Sequence, residues 1–139
     1  MLLVGLLAWA GSTESLRAQD LEKAKRYQKE AEYYQKSAQK FQNEVEYYQK
    51  KLESTMREVE YYLNKAESDD HDAEYYEKKN DNDRAKTYRQ RAQENRSRAQ
   101  NYQQRAKDIQ ETVQTYQRRA SEASEKASMY LKWAADAMK

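Results

Sequence analysis

The sequence predicts an all-α protein, a long antiparallel two-helix coiled-coil hairpin with an apolar N-terminal extension. Three observations predict this fold. First, the 139-residue chain has no proline, and its two glycines, Gly5 and Gly11, lie within the first eleven positions. Second, tyrosine recurs at fourteen-residue intervals in two separate series. Third, small apolar residues recur every seven residues, three positions before the tyrosine line. Long helices that pack through a narrow seam satisfy all three observations.

The first helix is predicted over residues 12–79. In a seven-residue repeat labelled a to g, the small residues take position a and the tyrosines take position d. The small line is Ala24, Ala31, Ala38, Val45, Leu52, Val59, Ala66 and Ala73, and the tyrosine series is Tyr34, Tyr48, Tyr62 and Tyr76. Because fourteen residues are two full repeats, each tyrosine returns to the same face of the helix.

The second helix is predicted over residues 84–138 and has the same organisation. Its small line runs every seven residues from Ala85 to Ala134, and its tyrosine series is Tyr88, Tyr102, Tyr116 and Tyr130. The a and d lines of the two helices together predict the seam between them. Its larger members are Tyr34, Tyr48, Leu52, Tyr62, Tyr76, Tyr88, Tyr102, Ile109, Tyr116 and Tyr130.

A turn over residues 80–83 is predicted between the helices. The seven-residue phase breaks there, and the run from Lys79 to Asp83 is rich in residues that favour turns and helix caps. A turn centred between Asn80 and Asp81 places Tyr76 opposite Ala85 and Leu52 opposite Ile109, so that large residues mostly face small ones. The arms would be roughly 80–95 Å long. The alternative is one continuous helix with a local change of phase.

Charge supports the pairing of the two halves. Residues 12–83 carry 13 Lys/Arg and 18 Asp/Glu, a net charge of −5, whereas residues 84–139 carry 13 and 6, a net charge of +7. Arginines occupy position g of the second helix at Arg84, Arg91, Arg98, Arg105 and Arg119. We expect ion pairs from three of them to Asp72, Glu58 and Glu44, whereas Arg98 meets Lys65 in an unfavourable pairing.

Four tyrosines remain outside the seam at position c: Tyr33, Tyr47, Tyr61 and Tyr75. They recur every ~21 Å along a helix. We interpret them as a second contact surface that joins one hairpin to another. The alternative is that these amphipathic side chains simply cover the seam and hydrogen-bond with water.

No catalytic, cofactor or metal site is predicted. Asp69, Asp70, His71 and Asp72 form the one local cluster with suitable metal ligands, but consecutive helical residues point in different directions. We interpret Asp69 and Asn95 instead as a polar layer that fixes register. A single histidine, no cysteine and no glycine-rich loop argue against an enzyme. Basic and aromatic residues alternate in the second helix, but the acidic half would neutralise the arginines, which argues against nucleic acid as a partner.

The N-terminal segment, residues 1–11, is the only strongly apolar run. Ala8-Trp9-Ala10 has the form of a signal-peptidase site, but the run lacks a basic start and is too short to span a bilayer. The segment is therefore signal-like, or it anchors or joins subunits. The residues expected at that joint are Leu2, Leu3, Leu6, Leu7 and Trp9, together with Leu131 and Trp133 of the second helix.

The function expected from these features is structural. The chain would be a subunit of an extracellular or cell-surface filament or sheath built from copies of itself, with a periplasmic location as the alternative. A second hypothesis is a cell-envelope tether or adhesin held at a membrane by residues 1–10. A third is a rod that lies on a membrane surface and shapes lipid. No cofactor is expected for any of them.

Overall fold

The fold is an all-α helical hairpin. The computed structural model describes the backbone of residues 5–139 and the side chains of residues 14–139. Helix α1 spans Gly5–Lys78 and helix α2 spans Asn82–Ala137, with no strand among the described residues. The helices pack against each other, which confirms the predicted hairpin. The supercoil of a coiled coil and the separate apolar extension stay predictions.

The helix boundaries differ from the predicted ones at the N-terminus. Helix α1 begins at Gly5, seven residues before the predicted start at residue 12. The leucines and alanines before it are strong helix formers, and one internal glycine costs only about 1 kcal/mol relative to alanine. Helix α1 ends at Lys78 and α2 begins at Asn82, so the break is shorter than the run predicted for it.

The turn between the helices is compact because Asp81 takes part in the ends of both helices. Asn80 has a φ of 59°, in the left-handed region that asparagine tolerates better than most residues. The amides of Asn80 and Asp81 donate to the carbonyls of Glu77 and Tyr76, which closes the end of α1. The Asp81 carboxylate then accepts from the amide of Arg84, which caps the start of α2.

The chain divides into two compact units. The turn unit is Glu44–Thr115, and the terminal unit combines Met1–Asn43 with Tyr116–Lys139. The core of the turn unit is Val59, Ala66, Ala73, Ala85, Ala92, Ala99, Ala106 and Val113. The core of the terminal unit is Ala24, Ala31, Ala38, Ala120, Ala123, Ala127 and Ala134. Small side chains let the helix backbones approach closely, so each core is thin.

The seam tyrosines are half-buried and pair across the helices. In the turn unit Tyr76 stacks on Tyr88 with ring centroids 5.5 Å apart, and Tyr62 stacks on Tyr102 at 5.6 Å. In the terminal unit Tyr34 stacks on Tyr130 at 5.6 Å. The predicted register places the two members of each stack in neighbouring layers, and the observed stacks agree with it.

Candidate interaction surface

Four exposed tyrosines form what we call the tyrosine ladder: Tyr33, Tyr47, Tyr61 and Tyr75. They are 63%, 60%, 51% and 51% exposed, respectively, although each contacts the seam tyrosine that follows it. In all four pairs the ring centroids are 5.1–5.2 Å apart and the interplanar angles are 75–83°. This edge-to-face geometry is one that aromatic pairs prefer, so it holds each outer ring in a defined position.

Three of the four ladder tyrosines belong to three-ring clusters that cross from one helix to the other. Next to the turn, Tyr75 and Tyr76 pack edge-to-face, and Tyr76 stacks on Tyr88 of α2. The same arrangement joins Tyr61, Tyr62 and Tyr102 in the turn unit, and Tyr33, Tyr34 and Tyr130 in the terminal unit. Each of these three exposed rings is therefore supported by two half-buried rings behind it.

The position-g arginines lie over tyrosine rings, and this corrects the predicted ion pairs. Arg84 lies 5.4 Å from the ring centroid of Tyr76, and Arg98 lies 5.7 Å from that of Tyr62, both across the helix interface. Other arginines cover a ring of their own helix: Arg91 over Tyr88, Arg105 over Tyr102 and Arg119 over Tyr116. Arginine stacks well on aromatic faces, so the rings compete successfully with the carboxylates for these side chains.

Two lysines cover exposed rings of the ladder in the turn unit. Lys79 Nζ is 4.5 Å from the centroid of Tyr75, and Lys65 Nζ is 4.9 Å from that of Tyr61. The predicted clash of Lys65 with Arg98 does not arise, because each cation lies over a different ring. The sequence signal for these contacts is the lysine four residues after the tyrosine, which places it on the same helix face.

Ion pairs that cross between the helices lie at position e, next to the turn. Among the described residues they are Arg89 with Glu77 and Arg96 with Asp70. Our interpretation of the sequence considered position g and missed this edge. The signal was present, because acidic residues occupy the last two e positions of α1 and arginines the first two of α2.

A polar pair replaces a tyrosine stack in the layer between two of the three-ring clusters. Asn95 is only 8% exposed, and its Nδ2 donates to Asp69 Oδ2 at 2.9 Å. Sequence reasoning named both residues as a polar layer, and the structure brings them together. Their role in fixing register stays a prediction.

The acidic cluster beside Asp69 does not converge on one point. Asp70 pairs with Arg96, and the exposed His71 lies 3.9 Å from Glu67. Within the described part of the chain, no group of three or more histidine or acidic side chains is placed to hold a metal ion.

The joint predicted between subunits involves both chain termini, and the structure describes side chains only for its α2 residues. Leu131 and Trp133 are 45% and 41% exposed. Trp133 also packs within its own hairpin, with its ring centroid 5.6 Å from that of Tyr27 and 5.2 Å from that of Tyr130. Leu2 and Leu3, and the side chains of Leu6, Leu7 and Trp9, lie outside the described residues.

Comparison with known proteins adds no family. No protein-family model matches the chain, and neither the curated proteins nor the solved structures give a match. Within the part of the chain that the structure describes, neither helix has the length and hydropathy needed to cross a membrane.

Proposed function

We propose that this chain is a non-catalytic structural protein that associates with copies of itself through the tyrosine ladder, as a subunit of an extracytoplasmic filament or sheath. One observation carries the proposal: four tyrosines at fourteen-residue intervals are each more than half exposed in one repeated edge-to-face geometry. Water contact alone requires neither this regular spacing nor this shared orientation.

The support behind each ring favours a binding role. Tyr75 is held by Tyr76 on one side and by Lys79 at 4.5 Å on the other. A side chain that is already fixed loses little conformational freedom when a partner covers it. Tyrosine also offers a large contact area with few rotatable bonds, which makes it effective at protein interfaces.

Charges beside the ladder suit a second copy of the same chain. Each ladder tyrosine follows a glutamate, and three of the four precede a lysine by four residues, as in Glu60, Tyr61 and Lys65. When two copies meet in opposite directions, Glu60 of one can approach Lys65 of the other. A surface with both signs in this order is compatible with a symmetric contact between identical chains.

The test is to replace all four ladder tyrosines by serine in the full chain. We expect unchanged helicity by circular dichroism, because the four side chains are exposed, and loss of large assemblies by negative-stain electron microscopy. The matched control replaces the same four tyrosines by phenylalanine, which keeps the rings and should preserve assembly. Filaments that persist in the serine variant would refute the role of the ladder.

A second pair of samples separates the ladder from the N-terminal joint. The full chain and a chain without residues 1–10 are compared under the same conditions. If residues 1–10 join subunits end to end, their removal shortens the assemblies, whereas lateral association through the ladder remains. Discrete hairpins from the full chain would overturn self-assembly and favour the envelope tether.

A further inference from the structure

Tyrosine is abundant in this chain and cysteine is absent, since the 139 residues include 13 tyrosines and no cysteine. Disulfides therefore cannot join one copy of the chain to another. Phenols offer a different covalent link, because two phenols that each lose an electron and a proton can join through the ring carbons beside their hydroxyl groups. Which tyrosines can react in this way depends on how much of each ring a second phenol can reach.

The tyrosines of the ladder are the ones that a second phenol can reach most easily. All four are 51–63% exposed, and Tyr61 and Tyr75 remain 51% exposed although a lysine lies over each ring. The other nine tyrosines are half-buried. Each ladder ring is also held edge-to-face against the tyrosine that follows it, with centroids 5.1–5.2 Å apart. It therefore faces solvent in a defined orientation.

Most of the half-buried tyrosines are shielded by other rings. Six of them form three stacks across the helices, with ring centroids 5.5–5.6 Å apart and interplanar angles of 8–14°: Tyr76 on Tyr88, Tyr62 on Tyr102 and Tyr34 on Tyr130. The bond between two coupled phenols lies in the plane of both rings. Rings held in parallel planes cannot form that bond without leaving the stack, so the stacked pairs are poorly oriented for coupling.

We propose that the ladder tyrosines are sites of oxidative coupling, which joins each of them to an exposed phenol of another molecule. The oxidant is of the one-electron class, such as a haem peroxidase with hydrogen peroxide. One hydrogen peroxide takes an electron and a proton from each of two phenols and becomes two waters. The two phenoxyl radicals then form one carbon–carbon bond. The hydrogen on each bonded carbon moves to the oxygen of the same ring, which restores both phenols, and no group leaves.

Within an assembly, the ladder of a second copy supplies the other phenol, and the product is a dityrosine between two chains. This part of the inference rests on the proposed function. In the turn unit the equal fourteen-residue spacing lets the ladder match its own reverse. When two copies meet in opposite directions, Tyr61 meets Tyr61 of the second copy and Tyr47 meets Tyr75. The link makes the assembly covalent without cysteine.

The first experiment locates the coupling sites without requiring assembly. The full chain, diluted until light scattering shows single chains, is treated with a haem peroxidase, hydrogen peroxide and excess tyramine, a small phenol. Mass spectrometry of its peptides should find tyramine on the ladder tyrosines. Replacing all four by phenylalanine should remove this label, because phenylalanine has no phenol to oxidise. The matched control replaces the four adjacent seam tyrosines by phenylalanine and should keep the label: Tyr34, Tyr48, Tyr62 and Tyr76.

The second experiment tests the link between copies. Assembled chains are treated with the peroxidase and hydrogen peroxide without tyramine, and the products are separated under denaturing conditions. We expect covalent dimers and larger species that show dityrosine fluorescence. The variant with phenylalanine in the ladder keeps the four rings, so it should assemble as the unchanged chain does. It should nevertheless separate into single chains under denaturing conditions.

Two results would overturn the proposal. One is a tyramine label that is absent from the ladder or spread evenly over ladder and seam tyrosines. The other is an assembly that forms no dityrosine between chains, or whose covalent dimers persist in the phenylalanine variant. Failure of the proposed function gives a different result. The chain would then stay as single hairpins in electron micrographs and form no covalent dimers, while its ladder still takes the tyramine label.

Discussion

At the scale of single residues, the molecule depends on side chains that fit a very thin interface. The buried apolar side chains are alanine and valine, and no large side chain among the described residues is fully buried. The tyrosines add area at the edges of the seam, where their hydroxyl groups can reach water. Stability should therefore respond strongly to added volume in the seam and to the loss of the buried Asn95 side chain.

We expect Ala99→Leu to lower the free energy of unfolding by about 1–3 kcal/mol, because Ala99 is fully buried between the helices and a larger side chain must push them apart. Urea unfolding followed by circular dichroism measures the change. The matched control is Ala135→Leu at an exposed position, where the effect should stay within about 0.5 kcal/mol. Equal effects at the two positions would show that the seam tolerates larger side chains.

We expect Asn95→Ala to cost about 1–2 kcal/mol more than the control Asn101→Ala. Asn95 donates to the partly buried Asp69 carboxylate, and its removal leaves that acceptor without its donor. Asn101 is exposed, so the control carries the same gain in helix propensity without the loss of a buried contact. Chemical denaturation of both variants gives the difference. A difference near zero would mean that water replaces the amide at no cost.

At the scale of elements, the turn connects two helices with few residues because Asp81 belongs to the ends of both. It follows the left-handed Asn80 that closes α1, and its carboxylate caps α2 and lies 3.4 Å from Arg84 Nε. This turn determines where α1 ends and where α2 begins. It therefore also determines which residues of the two helices face each other. An error of one residue in the turn would move every a and d residue of α2 away from its partner.

We expect Asn80→Ala to destabilise the hairpin by about 1 kcal/mol, because alanine lacks the short polar side chain that lets asparagine adopt the left-handed conformation at low cost. Asn80→Gly should preserve stability, since glycine adopts positive φ without a steric cost. Thermal unfolding of the three chains at equal concentration compares them. Equal stability of the alanine and glycine variants would show that the turn can adopt another conformation.

At the scale of the whole molecule, opposite net charge favours pairing of the two halves of the chain. Residues 12–83 carry a net charge of −5 and residues 84–139 carry +7, from the counts of 13 against 18 and of 13 against 6. The individual cross-helix ion pairs are exposed, so each contributes little, roughly 0.2–1 kcal/mol. The larger effect is the summed attraction, which dissolved salt screens.

We therefore expect the midpoint of thermal unfolding to fall as sodium chloride rises from ~20 mM to ~500 mM, because the Debye length becomes shorter than most distances between these charges. Differential scanning fluorimetry or circular dichroism measures the midpoint. Arg89→Gln with Arg96→Gln removes the two ion pairs at position e and should make the dependence shallower. A midpoint that rises with salt throughout this range would contradict the attraction.

The sequence by itself determined the helices, the place of the turn and the residues of the seam. Each depends on local or periodic properties: the absence of helix breakers, the turn residues around Asn80, and the matched a and d lines. The tyrosines of the ladder could also be named, since position c follows from the same period. Their fourteen-residue spacing can be read from the sequence without the structure.

Only the tertiary structure decided what the long side chains contact. Position g of α2 suggested ion pairs, yet Arg91 lies over Tyr88 and not beside Asp72, because a flexible arginine selects among every ring and carboxylate within reach. The tertiary structure also showed that the e residues of both helices share a face next to the turn, where two ion pairs join the helices. A repeat gives the position of a residue on its own helix, but contacts depend on the distances that packing sets.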